Sequence, residues 1–231
     1  MLIYGRNVCL EYLEKNKIPR KLYIQEGFKD ESLISAIGKL KIQPKFLTKN
    51  ELDRLANGLH QGIIMDVEDF SYTDYRNFIN DSESFIVILD HIEDPHNLGA
   101  IIRTCEAAGV DGIIIPKDRS VSVNATVIKT SAGAYDNIPI DMVTNLNTTI
   151  KDLKDNGFWI VGTDMDGTDY KELDYKGKVA LVIGNEGKGL SRIIRESCDF
   201  IAKIPMYGKV NSLNASVASG IMIYEVIRQK R

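Results

Sequence analysis

The chain has 231 residues, 44% of them hydrophobic, and carries 29 Lys/Arg against 32 Asp/Glu for a net charge of −3. That supports one good core with room for two domains, and it excludes a globally polycationic nucleic-acid binder. No apolar run approaches the ~20 residues that span a bilayer, and the opening M-L-I-Y-G-R-N lacks a signal-peptide layout, so a cytoplasmic protein without membrane contact is expected. Charge is unevenly placed. Residues 1–65 hold eleven Lys/Arg against seven Asp/Glu, and residues 188–231 hold eight against three. Two basic regions on a mildly acidic protein can form a confined RNA track or ordinary solvated surface. Cys9, Cys105 and Cys198 are far apart and form no C-x-x-C, as expected for reduced thiols.

In chain order, residues 1–67 read as a small α/β unit. G-R-N-V-C-L-E-Y-L opens a helix, K-L-Y-I is a strand, and E-S-L-I-S-A-I-G-K-L is a second helix. P-K-F-L, the helix N-E-L-D-R-L-A and Q-G-I-I-M-D-V follow. Residues 68–83, polar and aromatic without a steady period, form a linker with some helix in it. From 84 to 231 apolar strands alternate with helices. F-I-V-I-L-D leads to a helix from Leu98 to Ala108. V-D-G-I-I-I-P, a helix around T-V-I-K-T-S-A-G-A, I-P-I-D-M-V and the helix L-N-T-T-I-K-D-L-K-D-N-G come next. F-W-I-V-G-T-D, V-A-L-V-I-G, the helix L-S-R-I-I-R-E-S-C, F-I-A-K-I-P-M and a last helix complete the pattern. Strands dense in Val and Ile, separated by helices, imply a mostly parallel sheet covered on both faces. Ligands in such sheets bind beyond the carboxyl ends of strands, where Asp90, Thr163, Gly184 and Pro205 are expected.

Three blocks carry candidate chemistry. In L-D-H-I-E-D-P-H-N-L-G-A-I-I-R-T (89–104), Asn97 is an N-cap candidate and Leu98, Ile101, Ile102 and Cys105 form a core stripe. Arg103 lies off that stripe, facing a cleft or simply solvent. Asp90, His91, Glu93, Asp94 and His96 are metal-ligand types, but they lack helical H-E-x-x-H spacing and a partner cluster, so no metal is expected. G-N-E-G-K-G-L-S-R (184–192) satisfies neither a P-loop nor a dinucleotide fingerprint, and is a tight glycine turn with Glu186 at its apex. In I-P-M-Y-G-K-V-N-S-L-N-A-S-V-A-S-G-I-M-I-Y-E-V-I-R (204–228), Ser212 can cap a helix. From Leu213 to Ile227 that helix is apolar almost all round and is expected to be buried.

Taken together, residues 85–229 resemble the SpoU (TrmH-like) branch of the SPOUT RNA methyltransferases. N-L-G-A-I-I-R looks like that family's first motif, I-G-N-E-G-K-G-L its second and S-L-N-A-S-V-A-S-G its third, in the same order. Y-G-R-N-V-C-L-E-Y-L and H-Q-G (60–62) look like the preceding RNA-binding domain, similar to a ribosomal protein fold. The nearest group methylates a guanosine ribose in bacterial 23S rRNA.

The resemblance implies a substrate-binding domain over 1–67, a linker over 68–83 and a catalytic domain over 84–231 with a C-terminal trefoil knot. It implies S-adenosylmethionine as cofactor, held by Thr163, Gly184, Asn185, Glu186, Gly189, Ile204, Met206 and Leu213, and a homodimer. Arg103 would be the main catalytic residue, with Asn97, Glu186, Ser212 and Asn214 shaping the site. An arginine stays protonated in proteins, so gripping phosphate and steadying a developing alkoxide suit it better than general-base work. RNA would meet Arg6, Lys21, Lys45, Arg54 and His60, the last equally readable as a structural histidine. The implied reaction is rRNA ribose 2′-O-methylation. A tRNA substrate, or a non-catalytic role in RNA binding or ribosome assembly, is the alternative.

Overall fold

A computed structural model describes the chain apart from residues 57, 80–82, 186 and 188. Two compact units emerge, Met1–Ser71 with Val123–Gly133, and Tyr72–Ser122 with Ala134–Arg231.

In the first unit β1 (Leu2–Tyr4), α1 (Arg6–Glu14), β2 (Lys21–Gln25), α2 (Glu31–Lys39), β3 (Lys45–Leu47), α3 (Lys49–Leu55) and β4 (Ile63–Asp66) follow one another. The sheet order is β1-β4-β2-β3, with only β2 and β3 parallel. β1 was not expected from the sequence, because three residues are too few to show a period. Alternation in K-L-Y-I-Q buries Leu22 and Ile24, while every apolar residue of I-I-M-D is buried. α3 starts at Thr48, whose hydroxyl accepts from the Glu51 N–H while the Glu51 carboxylate accepts from the Thr48 N–H, a reciprocal cap.

The second unit opens with a 3-10 turn at Tyr75–Phe78. Both end residues are buried, and the Tyr75 hydroxyl donates to Asp152. Then come β5 (Phe85–Asp90), α4 (Pro95–Ala108) and β6 (Gly112–Pro116). α5 (Ala125–Ser131) belongs to the first unit. β7 (Ile140–Val143), α6 (Leu146–Asp155), β8 (Trp159–Asp169), β9 (Val179–Gly184), α7 (Arg192–Ser197), β10 (Phe200–Lys203) and α8 (Ala215–Lys230) complete it. Among the described residues the sheet has order β10-β8-β9-β5-β6-β7 and every neighbouring pair is parallel. The parallel α/β architecture expected from the Val/Ile runs is present. Phe85–Asp90 is buried at all six positions. Burial raises the Cys105 thiol well above its ordinary pKa and pushes Cys9 up to about 12, in keeping with unreactive thiols.

Four details depart from the sequence reading. α4 starts at Pro95, three residues before Leu98, and its cap is Asp94, whose carboxylate accepts the His96 N–H at 2.8 Å. A proline at the first helical position has no N–H to satisfy and a helical φ already set, so Asp-Pro starts the helix and Asn97 is left buried in its first turn. α8 is capped by Asn214, whose side-chain oxygen accepts the Ser216 N–H at 2.9 Å, rather than by Ser212, which is exposed. α8 packs against α4, yet Val217 and Tyr224, two turns apart, remain 52% and 53% exposed, so the helix is not buried all round. Its one buried carboxylate, Glu225, accepts from Arg228 and Gln229, and the Arg228 contact holds its pKa below the usual range.

The fourth departure matters most for the site. Thr163 does not end β8. The β10 ladder joins Ile201 to Gly162 and then Ala202 to Thr168, so residues 163–167 are skipped and swing out of the ladder. Gly167 permits this, since a Cβ there would sit 2.4 Å from the Ile201 carbonyl oxygen.

Candidate active site

A cleft of about 890 Å³ opens at the carboxyl ends of β9 and β10, beside the bulge within β8. The bulge gives Thr163, Asp164, Met165 and Asp166, the turn after β9 gives Gly184, Asn185, Gly187 and Gly189, and the chain after β10 gives Ile204, Met206, Ser212 and Leu213. Each wall is held by specific bonds. The Thr163 hydroxyl donates to the Val182 carbonyl at 3.1 Å. Arg195 fixes the bulge by donating to the Asp164 carboxylate at 2.7 Å and the Asp166 carbonyl at 3.2 Å. Asn185 and Gly189 exchange two backbone hydrogen bonds, at 3.0 and 2.9 Å, which close the turn into a miniature hairpin. Gly184 runs so close beneath it that a Cβ would meet the Gly189 carbonyl carbon at 2.4 Å.

The turn is tied to β5 by a residue whose role the sequence did not reveal. Asp90, 1% exposed, accepts the Ser191 N–H at 2.6 Å and the His91 ring Nδ1 at 2.5 Å. A carboxylate only accepts, so the His91 proton lies on Nδ1. His91 has a left-handed φ of 61°, rare for a residue with a side chain, and its carbonyl accepts the Asn185 side-chain amide at 2.8 Å. Asp90 and His91 together grip both ends of the hairpin. Replacing Asp90 with alanine strands the Ser191 N–H and is expected to destabilise the protein by about 1–3 kcal/mol in urea denaturation. Asp90→Asn is expected to cost far less. Its oxygen can still accept from Ser191, and its amide can donate to His91 once the ring adopts the other tautomer.

Of the residues expected to hold cofactor, Thr163, Gly184, Asn185, Gly189, Ile204, Met206 and Leu213 line this cleft, joined by Ser212. Glu186 lies outside the described residues. Asn214 donates from its side-chain amide to the Asn97 oxygen at 3.0 Å, coupling the starts of α8 and α4. Arg103 does not line the cleft. It is exposed on α4, six residues beyond Asn97, and makes no hydrogen bond or ion pair among the described residues. In the first unit Lys21, Lys45 and Arg54 are exposed, and Arg6 is half-exposed. His60 is buried. Its Nδ1 accepts the Gly62 N–H at 3.0 Å and its Nε2 meets the Asp53 carboxylate at 2.9 Å, so both ring nitrogens are engaged inside the unit. Asp164 and Arg195 carried no signal in the sequence, and Asp90 stood out there only as a strand-end residue and a metal-ligand type.

The SpoU rRNA Methylase family model matches residues 84–224, more than half of the chain. The chain belongs to the SpoU methylase family. A second model, RNA 2′-O ribose methyltransferase substrate binding, matches residues 2–73. A Staphylococcus aureus (strain MSSA476) protein named for the TrmH family of tRNA/rRNA methyltransferases is 45% identical over 238 residues, covering 99% of this chain and 96% of that one. Among solved structures, the SpoU methyltransferase AviRb of Streptomyces viridochromogenes in complex with AdoMet superimposes with a TM-score of 0.81. It is 25% identical, with 99% of this chain and 90% of that chain covered. The AdoMet-bound rRNA methyltransferase of Sinorhizobium meliloti has a TM-score of 0.76 and 27% identity, covering 98% and 86%.

Proposed function

We propose that this SpoU family protein transfers a methyl group from S-adenosylmethionine to a ribose 2′-hydroxyl of RNA, most specifically of a guanosine in 23S rRNA. The observation that carries the reading is the convergence of the second and third motifs and the 163–166 bulge on one cleft, with the Asn97–Asn214 hydrogen bond tying the first motif to its edge. The cleft suits the cofactor. Its volume exceeds what a nucleoside needs, Met165, Met206 and Leu213 offer apolar walls, and a side chain at Gly184 would drive into the hairpin that closes it. When bound, S-adenosylmethionine supplies the electrophilic methyl group.

The chain's own residues would do the rest. Thr163, Gly184, Asn185, Glu186, Gly189, Ile204, Met206 and Leu213 fix the donor, which turns a two-molecule encounter into an oriented one. Asn97, Glu186, Ser212 and Asn214 would shape the site around the ribose. Arg103, protonated throughout, donates to a backbone phosphate oxygen and steadies negative charge growing on the 2′-oxygen as its proton leaves. We divide the chain into a substrate-binding domain over 1–67, a linker over 68–83 and a catalytic domain over 84–231. Arg6, Lys21, Lys45 and Arg54 would meet RNA phosphates. The exposed Val217 and Tyr224 of α8 favour a homodimer, and the family resemblance implies a C-terminal knot and a cytoplasmic role in rRNA processing.

The test is transfer of labelled methyl to unmodified 23S rRNA and tRNA transcripts in parallel, with modified riboses mapped by resistance to alkaline cleavage. Label at one 23S rRNA ribose is expected. Label on tRNA alone would change the substrate and keep the chemistry. No label on either, from folded protein that binds the cofactor, would overturn the methyltransferase reading.

A further inference from the structure

A second cleft, of about 500 Å³, lies wholly within the first unit. Its walls carry two cations, Arg6 and Lys49, two primary amides, Gln25 and Gln61, and the apolar Leu59, which is 71% exposed. Its one carboxylate, Asp53, is spent on His60. Lys49 makes no hydrogen bond or ion pair among the described residues and is exposed. The unpaired charge of Lys49, the Arg6 guanidinium shared with Asp30, amide groups and an apolar ledge lie together in one small cleft.

The enclosure is also built rather than incidental. Arg6 donates from its backbone N–H to the Gln61 side-chain oxygen at 2.8 Å. Its guanidinium lies 5.3 Å from the Phe28 ring centroid and 3.6 Å from Asp30. Gln61 adopts a left-handed φ of 54°, which costs energy for a residue with a side chain. Strain of that kind persists where the surroundings impose it, and it clusters at ligand sites. Here the imposing group is His60, clamped between Asp53 and the Gly62 N–H. Gly62 itself, at φ 85°, has no room for a Cβ beside Phe28.

We propose that this cleft holds one unpaired nucleotide of the substrate RNA. Its phosphate would rest on Arg6 and Lys49, its base edge would meet the Gln25 and Gln61 amides, and its base face would rest on Leu59. The proposal rests on the reading of the protein as an RNA methyltransferase. The volume accepts one nucleotide and rejects a duplex, and in RNA, where the major groove of a helix is too deep and narrow for side chains, amides read base edges mainly on unpaired nucleotides. His60 touches no RNA in this arrangement. It is a positioning residue that holds the 60–62 wall.

The experiment uses the full chain and whichever unmodified transcript, 23S rRNA or tRNA, accepts methyl groups from the wild type. Lys49→Ala is expected to raise KM for that RNA about tenfold, the size of one lost charge-assisted contact, with kcat, cofactor affinity and melting temperature unchanged. Lys39→Ala, exposed on the same unit but outside the cleft, is the comparison and is expected to leave KM within about twofold of wild type. A transcript substituted with 4-thiouridine is expected to crosslink to residues 58–62 through an unpaired nucleotide. Equal KM for Lys49→Ala and wild type, or crosslinks at these residues confined to paired nucleotides, would overturn the cleft while leaving the methyltransferase reading intact. A wild type that labels neither transcript would overturn both.

Discussion

Replacing Arg103 with alanine is expected to slow methyl transfer by roughly 10²–10³-fold, the scale of losing one charge-stabilising donor, while cofactor affinity stays at the wild-type value. The structure makes this a clean experiment. Arg103 stands off the buried stripe of α4, is exposed, and bonds to none of the described residues, so its removal leaves neither a cavity nor a stranded partner. Whatever is lost belongs to RNA or to the reaction. Arg103→Lys separates two accounts of the loss. Lysine keeps the charge but not the planar fork, so a phosphate-gripping role predicts a large loss at every pH. Residual activity that climbs as lysine deprotonates would instead assign proton removal to this position. Single-turnover rates from pH 6.5 to 10, beside calorimetric cofactor binding, distinguish the two. A rate within threefold of wild type for Arg103→Ala would remove it from the mechanism.

The second large effect is expected at Gly184. An added Cβ would lie 2.4 Å from the Gly189 carbonyl carbon and 2.6 Å from the Leu190 nitrogen, both main-chain atoms of a turn closed by two hydrogen bonds. A flexible side chain could move aside, but this backbone is anchored through Asn185 to His91 and through Ser191 to Asp90. The whole hairpin must therefore shift, and a displacement near 1 Å in a positioning element costs about a hundredfold. Gly184→Ala is expected to weaken S-adenosylmethionine binding by at least that factor. Gly187→Ala, in the same turn, is the control. Its added Cβ would meet only the Asn185 side-chain oxygen, at 3.8 Å, and affinity is expected to hold within about threefold, since that is ordinary contact distance. Calorimetric titration of both variants decides it, and equal affinities would mean that the turn does not shape the cofactor site.

The strand and helix pattern from Phe85 onward was legible because a parallel sheet buries both faces of its strands, leaving runs such as V-A-L-V-I that few other structures require. Seven of the residues expected at the cofactor, from Thr163 to Leu213, share one cleft, and strand-end position and motif order put them together where individual signals are weak. Helix starts were less so. Asp94 and Asn97 are both acceptable caps, and only the proline between them decides for the first. Ser212 and Asn214 pose the same ambiguity without a proline to resolve it. The bulge at 163–167 was invisible, since nothing local distinguishes a residue that stays in a ladder from one that the neighbouring strand skips. The role of Asp90 was hidden because its partners, a backbone N–H a hundred residues away and the next side chain, leave no compositional mark. α5 grouping with the first unit is likewise a long-range fact, carried by packing rather than by any periodicity within A-T-V-I-K-T-S.

The strand order has a consequence for how the molecule comes into being. β8 is synthesised before β9, yet β9 lies between it and β5 in the finished sheet. During translation β5, β6 and β7 can zip together as they emerge, but β8 must then wait beside an empty lane until its successor arrives to fill it. An eager β8 that docked directly on β5 would occupy the wrong lane and have to be evicted, a delay of the kind that long-range parallel pairing imposes. The ligand cleft draws on residues out to Ala218, so it exists only after that queue has cleared. The methyl donor can therefore stabilise finished molecules and gives no help to those whose sheet is still incomplete.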